Sequence, residues 1–326
     1  MEVTYLKRYF LIVAILSSCL PCLRAFADNY PVRPIKIIVP FPPGETGDLI
    51  SRMIEQKISD RLGQPVIVEN RPGAAGIIGA DLIAKAEPDG YTIGVGQGGN
   101  LVTLPHTKRN LPYNPLKDFS PITISTFNYL VITANNKTPF NTVAQLIDWA
   151  KKNPGMLTVG TNGDGGFPHL TFEHFAQNAN IKFSHIPYKG AAPVQNDLIG
   201  GQIMVSIGSV ASQITQVKNG NIKMIGITNE KRVPMNPNFE AIAETLPGWY
   251  SNGWHGYIAP AKTPAFIVAK LNDAINFALK APGITDKLNQ MGLIVVTEQP
   301  QFAIDLINKE YAKYGKLVKD INFQPQ

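Results

Sequence analysis

The alternation of apolar and polar positions divides the chain into short strands and amphipathic helices joined by glycine-rich loops. Ile35–Val39 is a brief apolar run rich in β-branched residues, too short for a helix, and reads as a buried strand. Pro40, Pro42, Pro43, Gly44 and Gly47 then interrupt regular structure. From Asp48 the period lengthens, placing Leu49, Ile50, Met53, Ile54, Ile58 and Leu62 on one helical face. The same alternation continues with a strand at Val66–Glu69, a loop at Asn70–Gly76 and a helix over Ile77–Ala86. After the turn Pro88-Asp89-Gly90 comes a third strand, Tyr91–Val95. A β-α-β-α-β order predicts a parallel sheet with helices on its faces.

Pro121–Ala134 is a long β-rich run suited to crossing into a second unit. That unit repeats the opening device. A helix over Val143–Lys152 and a strand at Leu157–Gly160 lead to the loop Thr161–Pro168 and a helix from His169 to Gln177. Strand Lys182–Ile186, loop Pro187–Pro193 and a helix to Ile199 follow. Strands at Ile203–Ile207 and Lys223–Thr228 flank a helix over Ala211–Lys218. Trp254–Ala259 crosses back, and helices fill Pro264–Leu279, Ile284–Met291 and Pro300–Lys319, with a strand at Leu293–Thr297. The expected fold is α/β, with two Rossmann-like lobes joined by two crossing strands. Lobe 1 comprises residues 28–130 and 252–326, and lobe 2 residues 131–251. The glycine-rich loops of both lobes face the cleft between them.

A strand–loop–helix junction aims unpaired N–H groups and the positive end of the helix dipole at whatever enters the loop, which favours an anion. Glycines at 44, 47, 163, 165, 166 and 190 let backbone approach a ligand, and Thr46 and Thr161 offer hydroxyls. Lys189 is a candidate for added positive charge.

Composition narrows the function. The 326 residues are 44% hydrophobic and 17% charged, the balance of a globular protein. The net charge of +6 is dispersed, with no clustered Lys and Arg, which argues against nucleic acid as a partner. Lys7 and Arg8, the apolar Tyr9–Leu16 and Ala25-Phe26-Ala27 form an export signal over residues 1–27. Leu16-Ser17-Ser18-Cys19 also resembles a lipobox, which would lipidate Cys19. Both cysteines, Cys19 and Cys22, lie in this segment, so the mature chain is expected to have no disulfide and no thiolate chemistry.

The five histidines, at 106, 169, 174, 185 and 255, show no metal-binding spacing, and no cofactor or metal is expected. Gly94, Gly96 and Gly99 satisfy a dinucleotide pattern but follow the third strand, and Pro105 cuts the helix the motif requires. Asp164 and His169 leave a hydrolytic alternative open. Otherwise no catalytic set is visible and the loops read as a binding site.

Many blocks in order resemble the Bug family of periplasmic solute receptors that serve tripartite tricarboxylate transporters. They include Tyr30–Ile35, Val39–Gly44 with Asp48 and Arg52, Asn70–Ala74, Pro88–Thr92, Leu111–Tyr113, His169-Leu170 and Pro187–Gly190 with Asp197 and Gly200–Gln202. The resemblance implies a two-lobed type II periplasmic-binding fold that closes on a small carboxylate, works as a monomer and delivers its ligand to membrane permease subunits. An orphan receptor signalling to a sensor kinase is the alternative. Carried onto this chain, the family's ligand loops are Phe41 with Thr46, Gly47 and Asp48, then Thr161, Asn162, Gly163, Gly165 and Gly166, then Gly190, Ala191 and Ala192 with Asp197. Two positions depart from the family pattern: Glu45 stands where a second glycine is usual, and Gly166 where a serine is common. Glu45 is therefore a candidate for setting ligand preference.

Cleavage after Ala27 predicts a mature protein beginning at Asp28. Intact-mass measurement of the exported protein checks this, and a diacylglyceryl-modified Cys19 would contradict it.

Overall fold

The computed structural model describes residues 30–233 and 236–325, so the expected export signal lies outside the described residues. In the first unit, β1 (Ile35–Val39), α1 (Thr46–Leu62), β2 (Val66–Asn70), α2 (Ile77–Ala84) and β3 (Thr92–Gln97) follow the predicted order. β1 pairs in parallel with both β2 and β3. A π turn at Gly99–Thr103 and a short α3 (Leu104–Thr107) extend from β3. Pro105 sits in the first turn of α3, where a missing N–H costs nothing, so it starts this helix rather than preventing one.

β4 (Phe119–Asn135) is the longest strand and belongs to two sheets. Its residues up to Tyr129 pair with β9 (Asn252–Pro260), which in turn pairs with β3. From Leu130 onward it pairs with β7 (Val205–Ser209) and, from Val131, with β8 (Ile222–Ile227). The second sheet continues through β5 (Leu157–Thr161), parallel to both β7 and β6 (Phe183–Pro187). The return path is tied to the same point: Thr228 N–H donates to the Leu130 carbonyl and Ser251 N–H to the Thr228 carbonyl, both at 2.9 Å.

Helices cover both sheets. α9 (Ala265–Leu279) and α10 (Ile284–Gln290) pack with α1 on one face of the first sheet, sharing a core that includes Ile37, Ile54, Leu271 and Leu288. α11 (Pro300–Asp320) covers the other face with Ile83, Leu101 and Trp254, and β10 (Leu293–Val295) pairs with β4 beside it. The second sheet is covered by α4 (Val143–Lys152) and α5 (Phe167–Ala179) around Ile132, Phe172 and Val205, and by α6 (Ala191–Gly200) and α7 (Val210–Lys218), which bury Leu198 and Val210 in smaller clusters.

The α1 periodicity has one exception. Leu49, which its spacing places on the buried face, is 40% exposed. Gly47, Asp48 and Ser51 take the inward positions of the first turns, because there the helix meets polar groups: Ser51 Oγ bonds the Tyr257 hydroxyl at 3.0 Å.

α2 crosses the β1 loop so closely that a Cβ on Gly79 would lie 2.7 Å from Pro40 Cα and 2.8 Å from the Arg71 carbonyl oxygen. Neither backbone atom can swing aside, so Gly79→Ala is expected to cost about 1–3 kcal/mol of stability. Gly200→Ala, with no heavy atom within 4 Å of its added methyl, is the control and should cost nothing. Urea unfolding of the two variants decides between these outcomes.

Candidate functional site

Parallel sheets bind ligands beyond the carboxyl ends of their strands. Here the ends of β1, β3, β5 and β7 face one cleft of about 260 Å³, which has residues from both sheets and from the two crossing strands on its walls. Glu45 and Thr46 come from the junction of the β1 loop with α1, Gln97–Gly99 from the end of β3, and Asn162 from the β5 loop. Phe167, Ala191 and Ser209 mark the starts of α5, α6 and α7. Asn128, Trp254 and His255 come from the crossing strands β4 and β9.

The starts of four helices therefore converge on the cleft. First-turn N–H groups have no acceptor inside their own helix. At α7 the N-cap Ser209 accepts the Ser212 N–H with its own side chain. α1, α5 and α6, capped by Glu45, Gly166 and Gly190, have no side-chain cap bond. First-turn donors that no cap side chain takes up, together with the dipole ends, make the cleft attractive to an anion.

Side chains add polarity and no positive charge. Among the described residues that line the cleft, Glu45 alone is formally charged, and it is exposed. Burial lowers the His255 imidazole to about 4, so this ring is neutral near pH 7. The Asn128 Oδ1 and Gln195 Oε1 atoms are buried at the cleft with no donor among the described residues. Gln213, also buried, is held by its carboxamide oxygen, which accepts from Thr133 and Ser206. Its amide nitrogen lies beside Gly208 on the cleft wall. The indole N–H of Trp254 is fixed by Glu310 of α11 at 2.9 Å.

Residues 50–323 match the sequence model of the family described as tripartite tricarboxylate transporter family receptor. The chain belongs to the tripartite tricarboxylate transporter receptor family. The receptor is 37% identical over 295 residues to the UPF0065 protein in the tcbD-tcbE intergenic region of Pseudomonas sp. strain P51, covering 89% of this chain and 87% of that one. It is 32% identical over 300 residues to Protein BugT of Bordetella pertussis, covering 90% and 91%. Among solved structures it resembles R. palustris Rpa4515 with adipate, with a TM-score of 0.77, 30% identity and coverage of 91% of this chain and 100% of that one. MatC from Rhodopseudomonas palustris with bound malate gives 0.73 and 28%, covering 89% and 100%. The fold is that of the mixed α/β periplasmic binding proteins.

Of the candidate positions in the receptor, Glu45, Thr46, Asn162 and Ala191 line the cleft directly. Gly47 lies behind them against Val95, and Phe41 packs its ring against Gly76. Thr161 is buried, its hydroxyl donating to the Gly163 carbonyl at 2.9 Å. Gly165 packs against Phe323 and Thr107, and Gly166 caps α5. Gly190 caps α6, with Ala192 in its first turn, and Asp197 accepts the Tyr188 hydroxyl at 2.7 Å. Asp164 and His169, the hydrolytic alternative, are not among the residues lining the cleft.

The remaining lining residues have weaker sequence signals. Gly94 and Gly96 pack against Ile83 and Leu101, whereas Gly98 and Gly99, just beyond them, border the cleft. Their clue is position, at the carboxyl end of a central parallel strand. Asn128, Gly253, Trp254 and His255 are reached only by knowing that both crossing strands run beneath the cleft.

Asp48 holds the first loop together. Its carboxylate is buried and accepts from Gly44 N–H at 2.8 Å, Arg52 Nε at 2.9 Å and Asn70 Nδ2 at 2.9 Å. Burial alone would raise this carboxyl, but the Gly44 N–H, the Asn70 amide and the Arg52 guanidinium outweigh it and hold it below the usual range. A carboxyl depressed by folding stabilises the fold above its unfolded pKa, near 3.9. That contribution is lost as pH falls through the folded value. Asp48→Ala is therefore expected to cost about 1.5–3 kcal/mol at pH 7. The gap between variant and parent should shrink on titration below pH 4, and denaturant midpoints measured across pH check both statements.

Proposed function

We propose that the receptor binds a small acid carrying one carboxylate and a hydrogen-bond donor, an amine or a hydroxyl, and delivers it to membrane permease subunits. One observation carries the reading: three helices without a side-chain cap bond start at a cleft where, among the described lining residues, the carboxylate of Glu45 is the one formal charge. The helix ends accept one carboxylate. The buried oxygens of Asn128 and Gln195, together with Glu45, ask the rest of the ligand for donors. Relatives solved with adipate and malate support a carboxylate as the ligand class. We further read the protein as a monomer without catalytic activity, exported to the periplasm by cleavage after Ala27. No described helix is long and apolar enough to cross a membrane.

Glu45 gives the reading its selectivity. A carboxylate about 5 Å from a second ligand carboxylate, at an effective dielectric near 20, costs about 3 kcal/mol. That corresponds to roughly a hundredfold in affinity. Glu45→Gly is expected to improve binding of di- and tricarboxylates at least tenfold and to weaken binding of monocarboxylates that carry a donor. Calorimetry of parent and variant against one panel of acids checks this, and equal affinities across the panel would contradict it.

The lobes, taken as residues 28–130 with 252–326 and residues 131–251, move about the paired crossings at Leu130 and Ser251. Ligand is expected to shrink the radius of gyration in small-angle scattering. An unchanged radius at saturation would count against closure.

A further inference from the structure

Three potential ligand side chains meet behind the β5 loop, outside the set that lines the cleft. One ligand atom each from Asp164, His169 and His185 lie within 4.8 Å of one another. His169 Nδ1 is 3.1 Å from Asp164 Oδ1, and His185 Nδ1 is 3.6 Å from the same oxygen. The outer nitrogen of each ring has its own partner. Thr161 Oγ1 donates its proton to the Gly163 carbonyl, so across the 2.7 Å to His185 Nε2 it can only accept. This assigns the proton to Nε2 of His185 and a lone pair to its Nδ1. His169 Nε2 lies 3.4 Å from Glu173 Oε1, and its Nδ1 accepts the Gly165 N–H at 3.0 Å, so its lone pair is also on Nδ1. Two imidazole lone pairs and a carboxylate oxygen thus share one edge, a donor set that suits a divalent cation. A hydroxyl on His185 Nε2 and a carboxylate near His169 Nε2 are also the kind of outer partner that orients imidazoles toward a metal.

We propose that Asp164, His169 and His185 form a site for a divalent transition metal, with Zn²⁺ the best fit. Two imidazoles and one carboxylate, without thiolate, suit a borderline ion better than Mg²⁺ or Ca²⁺, which take oxygen ligands. Three protein ligands leave a fourth position for water. Two features limit the strength of the site. Gly165 N–H must give up His169 Nδ1, and the rings, stacked 3.6 Å apart at 11°, must splay to address one ion. The site is therefore weaker than a closed structural zinc centre. A bound ion would tie the β5 loop, which carries Asn162 into the cleft, to β6 and α5.

The test uses the full mature receptor, stripped with a chelator and titrated with Zn²⁺ and Mg²⁺ in a calorimeter. One Zn²⁺ per chain is expected, with no saturable Mg²⁺ binding. His185→Ala and Asp164→Asn should each weaken Zn²⁺ at least tenfold. His174→Ala, whose ring stacks on Trp249 instead, should leave it unchanged. Zinc X-ray absorption on the loaded parent protein should show two imidazoles, a readout that needs no variant to fold. Absence of saturable Zn²⁺ binding, undiminished binding in His185→Ala, or a spectrum with fewer than two imidazoles would overturn the proposal.

Discussion

The first-turn N–H groups of a helix have no partner within it, and this receptor gathers three such ends, uncapped by side chains, at one cleft. Much of the surrounding structure serves that arrangement. Asp48 could have turned its carboxylate toward the free donors of α1, but it is held from behind by Gly44, Arg52 and Asn70. His169 likewise takes up the Gly165 N–H just ahead of α5. The loop donors Gly44 N–H and Gly165 N–H are satisfied locally, while the helix starts themselves border the cleft. Such a site attracts an anion through fixed dipoles, with no Lys or Arg among the described residues that line it.

The second requirement is that the two sheets stay in register across the cleft. β4 provides this by running unbroken from one sheet into the other, changing partners between Tyr129 and Leu130. The return crossing is stitched to it through Thr228, whose hydroxyl accepts the Leu130 N–H at 2.8 Å. α11 adds a third connection. The buried Tyr314 hydroxyl reaches Ser251 at 2.9 Å and Thr171 of α5 at 3.4 Å, and its ring packs near Phe167 at the cleft. Two crossing strands and one buried phenol thus tie the two sheets to each other.

Most of the fold is legible in the sequence because the α/β alternation is strongly periodic. Ile35–Val39 and Val143–Lys152 occur with the bounds their spacing predicts. Leu49 is the instructive exception, since periodicity cannot tell that the first turns of α1 bury a polar network around Ser51 and Tyr257. The short α8 (Ile242–Thr245) and the π turn at Gly99–Thr103 carry no periodic signal and were not anticipated. The cleft is only half legible. Loop residues such as Glu45 and Asn162 announce themselves beside glycines, whereas Asn128, Gln195 and Gln213 sit in ordinary strand and helix patterns. The neighbourhood of His185 and Asp164 is equally hidden, because adjacent parallel strands bring together residues far apart in sequence.

In the proposed function, helix ends with no basic side chain hold a ligand with one carboxylate and at least one donor. Mass spectrometry of small molecules released from receptor purified under native conditions tests it most directly. The expected compound is an acid with a single carboxylate and an amine or hydroxyl, present at close to one per chain. Release of a tricarboxylate, or of a neutral or cationic compound without a carboxylate, would contradict it.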